Sequence, residues 1–299
     1  MFDNLLVLYF FISIGFVLAK LKDVKLNDFA TVLLYSLTPG VIFFGTYKAK
    51  LDSSIFYAPS LAFLVCFILA FLSLFFLKKV IQDKRKYILS YLAGSTNGGY
   101  LGLPIAMYVL DEVSLSLYIM ALLGTNLFEM TFGIYICARG DYDVKQSIRK
   151  IFSLPIIYFT VLGLGFNYFE VVIPENLMSI ETYFKYTYSF MGMLVIGIGL
   201  GAIKSFKLDW FYLVYSIFIK FIGWIMVVGI IIYIDKNLYD FFDDTLHKVL
   251  ILFALMPVAA NIVIFASIFK YEEEKAALSL IVTTAISIVY IPFMIGVLF

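Results

Sequence analysis

Ser95-Thr96-Asn97-Gly98-Gly99-Tyr100-Leu101-Gly102-Leu103-Pro104 lies inside an apolar segment, about 87–110, that is long enough to cross a bilayer. Three glycines, an asparagine and a proline so close together make a poor continuous helix. Glycine costs about 1 kcal/mol relative to alanine in a helix interior and proline about 3 kcal/mol. In lipid, a broken helix survives only where its freed backbone groups face protein or a water-filled cavity. Its half-helix ends then aim partial charges at whatever enters, as in secondary transporters. A kinked helix that packs through small residues is the other reading of the same letters.

Working outward, the 299 residues are 63% apolar and 14% charged, against about 45–50% and about 25% in an average soluble domain. No run alternates as a barrel strand would, so the expected class is an all-α polytopic membrane protein. Ten spans are expected, at about 5–20, 28–47, 55–77, 87–110, 113–138, 152–169, 184–203, 210–234, 246–269 and 276–298. The N-terminal Met1-Phe2-Asp3-Asn4 is acidic and no small-residue cleavage site follows, so the first apolar run reads as a retained helix. With that end outside, inner loops carry sixteen Lys and Arg and outer loops five, a strong positive-inside bias. Both termini are therefore expected outside a plasma or inner membrane. A net charge of +1 speaks against a nucleic-acid partner. Cys66 and Cys137 fall at different depths, which argues against a disulfide, and one histidine without a Cys/His cluster leaves no metal-ligand pattern. No cofactor is expected.

The short loop 140–150 divides the chain into five spans in 1–139 and five in 151–299. Five is odd, so equivalent halves must be inverted. Gly45-Thr46-Tyr47-Lys48 and Gly201-Ala202-Ile203-Lys204 echo each other, and Pro104 and Pro257 lie 153 residues apart in the fourth and ninth spans. The expectation is that broken helices 4 and 9 cross near the midplane. Pro257, in Met256-Pro257-Val258-Ala259-Ala260-Asn261, removes a donor and frees a carbonyl one turn earlier.

Asn97 lies about eleven residues into its span, ~16 Å deep at 1.5 Å per residue. Its amide suits a carboxylate or an ordered water, or it simply caps a half-helix. Asn261 and Asn126 are candidates of the same kind. Gly98, Gly99, Gly102, Pro104 and Pro257, at the breaks themselves, are expected to belong to the substrate site. Glu129 and Lys220 are charges inside spans, at similar depths, and each is the natural partner of the other. They form either a static buried ion pair or a pair in which Lys220 offsets helix ends and Glu129 takes up a proton. Tyr9, Tyr35, Tyr47, Tyr57, Trp210 and Trp224 read as interface or packing aromatics.

Asn97-Gly98-Gly99-Tyr100-Leu101-Gly102-Leu103-Pro104 resembles the N-x-G-x-x-G-x-P signature in the fourth helix of the auxin efflux carrier family. That family includes plant PIN-type auxin exporters and bacterial permeases for malate and malonate. Pro257-Val258-Ala259-Ala260-Asn261 resembles its ninth helix. Ile151-Phe152-Ser153-Leu154-Pro155, Gly163, Pro174 and Gly199-Leu200-Gly201 resemble the sixth and seventh. The resemblance implies two inverted five-helix repeats of the NhaA and bile-acid-symporter type. Helices 1, 2, 6 and 7 would be a scaffold, and 3–5 and 8–10 a moving domain. It further implies an organic-anion substrate carried by an elevator-like motion, and it allows a homodimer through the scaffold. Gly192-Met193-Leu194 stands where many members have a proline, and the central loop is minimal, which speaks against regulated plant-type auxin export.

The expected function is therefore secondary transport of a small organic anion, a carboxylate, with import, export and coupling left open. No G-x-x-x-x-G-K-[ST] phosphate loop is present to bind ATP. A sodium-coupled symporter of the bile-acid type is the alternative, with Ser95, Thr96, Asn97, Thr125 and Asn126 as oxygen donors. A channel, and a receptor or scaffold, are further classes. An enzyme is not expected, since no Ser/His or metal arrangement spans the helices.

Overall fold

The computed structural model describes residues 2–22, 24, 26–49, 53–137, 155–202, 209–269, 271 and 273–298. The central loop 140–150, the stretch 151–154 and the loop residues Lys204 and Lys207 lie outside the described residues. Among the described residues the chain is helical, without strands. Among the described residues, four helices are long and apolar enough to cross a membrane: Phe56–Val80, Glu112–Cys137, Trp210–Tyr239 and Glu274–Leu298. Val7–Leu21 is a shorter apolar helix. Phe71, Phe75 and Phe76 are all exposed on the first of the four, an outward apolar face.

Contacts gather the chain into two compact units. One comprises Met1–Ala58, Gly99–Met120 and Phe152–Ala202; the other comprises Pro59–Gly98, Ala121–Ile151 and Ile203–Phe299.

In the first unit, α1 (Phe2–Leu21) is followed by α2 (Leu26–Val32), a π-helical turn Leu33–Leu37, and α3 (Thr38–Tyr47). A methyl group on Gly15 would overlap the Leu194 carbonyl oxygen, and one on Gly197 the Ile12 carbonyl oxygen. These two glycines bring α1 to backbone distance from the long helix Ile180–Ala202, the small-residue packing that membranes favour because lipid supplies no hydrophobic drive between helices. The last carbonyls of α3 have no helical partners. The Asn167 amide donates to one of them, Thr46 O at 3.2 Å, and to Ala49 O just beyond the helix at 2.6 Å. Nearby, Glu181 holds Lys185 at 2.6 Å and Lys48 at 2.9 Å. Burial raises the Glu181 pKa, but the two ammoniums outweigh it and hold the carboxyl below its usual range.

In the second unit, α4 (Ser54–Val80) leads to α5 (Arg85–Gly94). After the π-helical turn Gly98–Gly102 come α6 (Leu103–Val109), α7 (Glu112–Phe128) and α8 (Ile134–Cys137). Of these, α6 and the start of α7 belong to the first unit. Chain order then gives α9 (Pro155–Tyr168), α10 (Glu175–Met178) and α11 (Ile180–Ala202) in the first unit, and α12 (Trp210–Phe218), α13 (Trp224–Ile234), α14 (Asp244–Leu255), α15 (Asn261–Ile268) and α16 (Glu273–Leu298) in the second. Leu77, Ile88, Tyr91, Val258, Ile262 and Phe265 build the buried core. Asp209 pins three helix starts together. Its carboxylate accepts from the Tyr212 N–H as the α12 N-cap at 3.1 Å, and from Arg85 and Lys275, each at 2.9 Å. Burial works against its charge, but Lys275, the Tyr212 N–H and Arg85 together keep the pKa below the ordinary value.

Two helices of this unit break. After α5, Ser95 turns extended (φ −93°, ψ 151°). After α14, Met256 does the same (φ −71°, ψ 147°), and helix resumes only at Asn261. Pro104 does not sit in the first break. It lies near the start of α6, directly after the π-helical turn Gly98–Gly102 that leads out of the break. Pro257 lies within the second break itself, so the two prolines are not equivalent in their helices.

Candidate functional site

The two breaks are bonded to each other. The Asn97 N–H donates to the Pro257 carbonyl at 2.9 Å. Because Pro257 has no N–H, the Phe253 carbonyl one turn earlier lacks its helical donor. The Thr96 hydroxyl donates to it at 3.1 Å, with the Met256 N–H at 3.3 Å. Gly98 makes the approach feasible, since a methyl group there would overlap the Phe253 ring. Asn97 is buried in this contact.

Both intramembrane charges open onto π-helical turns. Glu129 begins the turn Glu129–Gly133, and Lys220 lies within Ile219–Gly223. Such turns insert one residue into the helix and recur at functional sites. Glu129 is buried, and its Oε2 accepts from the Asn261 amide at 2.7 Å. Asn261 is the first residue of α15, so this bond ties the second break to the π turn. Tyr91 is fully buried in the same unit.

Lys220 and Glu129 do not pair. Among the described residues no carboxylate lies within 4.0 Å of the Lys220 Nζ, which has no hydrogen-bond partner. The expected ion pair is corrected for a physical reason: the Asn261 amide already occupies the carboxylate, and Lys220 turns its ammonium over the Trp224 ring, 3.6 Å from the centroid. Trp224 is buried, and its indole N–H donates to the Ala93 carbonyl at 2.9 Å. The sequence treats Trp224 as a packing aromatic. The signal available there was its position four residues after a buried lysine, a spacing that puts side chains on one helix face.

Asn97, Gly98, Pro257, Asn261, Glu129 and Lys220 all belong to the second unit, as does Asn126, partly buried one turn before Glu129. Gly99, Gly102 and Pro104 belong to the first. A methyl group on Gly99 would meet only the Tyr188 hydroxyl, at 3.6 Å. The oxygens considered for sodium are engaged locally as donors: Ser95 to Leu92 O at 3.1 Å and Thr125 to Leu122 O at 2.9 Å. Among the described residues no group of three His, Cys, Asp or Glu could hold a metal ion. His247 bonds Asp235 at 3.0 Å, far along α14 from the break. In the first unit, a cleft of about 260 Å³ is lined by Met107, Tyr108, Thr182, Lys185, Tyr186 and Ser189, none of them a candidate from the sequence.

No protein-family model matches the chain. The chain is 22% identical over 308 aligned positions to the uncharacterized transporter MJ1031 of Methanocaldococcus jannaschii, and the alignment covers 97% of this chain and 96% of that protein. From end to end, then, this helical chain with two joined helix breaks is similar to a protein named as a transporter.

Proposed function

We propose that this protein is a secondary transporter that moves a small organic anion, a carboxylate, across a cell membrane by elevator-type alternating access. On this reading it is a permease of the auxin efflux carrier type, with ten spans in two inverted repeats, both termini outside and the anion bound where helices 4 and 9 cross. The observation that carries the proposal is the hydrogen-bonded pair of breaks, Asn97 N–H to Pro257 carbonyl, beside buried Asn261, Glu129 and Lys220. Extended backbone in a span is tolerated only where other groups satisfy it, and such breaks serve as ion and substrate sites in transporters. End-to-end similarity to a protein named as a transporter supports the same reading.

The test is binding in detergent of a panel of mono- and dicarboxylates, followed by thermal shift. Ligand stabilises by RT ln(1 + [L]/Kd), so millimolar anion reveals even weak sites. One carboxylate should raise the melting temperature of the wild type and lose its effect in Asn97→Ala. No shift from any carboxylate on folded protein refutes the anion reading. With a substrate in hand, uptake into proteoliposomes with sodium omitted, or with the proton gradient collapsed, identifies the coupling ion.

A further inference from the structure

Among the described residues of the second unit, Lys220 is a buried charge without a hydrogen-bond partner. It is fully buried, its ammonium has three donors and no acceptor, and Glu129 and Cys66 act on it only through space. A buried ammonium normally requires acceptors or an anion. What this one has is the face of Trp224, 3.6 Å away, and cation–π attraction strengthens as water is removed. The other edge of the same indole is also committed. Its N–H donates to the carbonyl of Ala93, one residue before the end of α5 and two before extended Ser95. That carbonyl is among the last of α5, which have no helical donors because the helix stops.

We infer that Trp224 is the positioning residue for the Lys220 charge: one indole holds the ammonium on its face and anchors it, through the ring N–H, to the end of α5 at the first helix break. This rests on the reading of the break as an anion site. The carbonyl ends of α5 carry partial negative charge, which would repel an anion. Trp224 fixes the positive charge beside them. Removing the tether leaves the lysine in place but frees its charge to move, so anion affinity falls through Lys220 and not through Trp224 itself.

The chain has two tryptophans, and Trp210 is exposed, so Trp210→Phe leaves Trp224 as the sole emitter. In that background Lys220→Met should shift the emission maximum by several nanometres, since the ring loses a cation on its face. Unchanged emission overturns the contact. In full-length protein, Trp224→Phe keeps a ring but loses the N–H donor, and Trp224→Leu loses both. For the carboxylate found in the thermal-shift panel, the Phe variant should bind about fivefold more weakly and the Leu variant about tenfold or more, the scale of one to two hydrogen-bond-sized interactions. The discriminating readout is the double variant. If Trp224 acts through Lys220, Trp224→Leu costs no further affinity once Lys220→Met is present. An equal loss in both backgrounds, or a lowered melting temperature with unchanged Kd, overturns the positioning role. Wild type that binds no carboxylate overturns the anion site and the functional half of this inference with it. An emission spectrum that still responds to Lys220→Met then retains the contact, so the two failures are distinguishable.

Discussion

Adjacent glycines at the first break should respond in opposite ways to the same methyl group. At Gly98 the added carbon overlaps the Phe253 ring, with the Leu122 Cδ1 behind it at 3.3 Å. Phe253 is almost wholly buried and cannot swing aside. Overpacking of this kind costs about 1–3 kcal/mol. At Gly99 the added carbon meets only the Tyr188 hydroxyl, at an ordinary 3.6 Å. Both substitutions restrict the unfolded chain, which stabilises by about 0.4–1 kcal/mol wherever the native backbone accepts a side chain. Gly99→Ala should therefore be neutral or slightly stabilising. Gly98→Ala should be less stable than Gly99→Ala by about 1–3 kcal/mol, or roughly 2–12 °C in melting temperature at ~2–4 °C per kcal/mol. Because Gly98 follows Asn97, its variant should also lose the carboxylate-induced shift, and Gly99→Ala should keep more of it. Melting in detergent, with and without the anion, measures both effects. A Gly98→Ala protein that melts at or above Gly99→Ala would falsify the view that this glycine exists to admit Phe253.

Asn261→Leu removes the donor to Glu129 and leaves a buried carboxyl unsatisfied, so it should cost about 1–3 kcal/mol, read as a lower melting temperature. Changing Glu129 to Leu as well should recover part of that loss, and no recovery would show that the two residues are not energetically coupled. For Asp209, whose pKa in the folded protein lies below its unfolded value, the stabilisation is present above the unfolded pKa and lost as pH falls through the folded one. Asp209→Asn should therefore lower the neutral-pH melting temperature by the equivalent of about 1.5–3 kcal/mol, with the two proteins converging in acid. A constant gap at every pH would exclude the ion pairs with Lys275 and Arg85 as the cause. Gly197→Val should disrupt the contact between α1 and α11 and reduce the yield of folded protein, because its side chain would enter the Ile12 carbonyl. Gly165→Ala, which meets nothing within 4 Å, is the matched control.

The helical, membrane-spanning character and the places where helices stop are written in local chemistry. Apolar runs without charges must satisfy their backbone internally, and Ser95 to Gly102 and Met256 to Ala260 combine glycine, asparagine, serine or proline with that demand. A residue's propensity and a proline's missing donor are properties of the chain itself, so these breaks were legible before any folding. The freed carbonyl one turn before Pro257 was legible too; that Thr96 answers it was not. Which side chain meets which depends on how each helix is rotated and how far it slides, and a shift of one residue turns a helix face by about 100°. Similar depth made Glu129 and Lys220 look like partners. Packing instead gave Glu129 the Asn261 amide and laid Lys220 on Trp224, a residue whose letter reads as filler. Inserted π turns at both charges re-aimed those side chains, and no composition or spacing rule announces such a turn. Depth along the membrane is a one-dimensional quantity that sequence carries, whereas contact requires two helices to agree in rotation, and only the tertiary structure decides that.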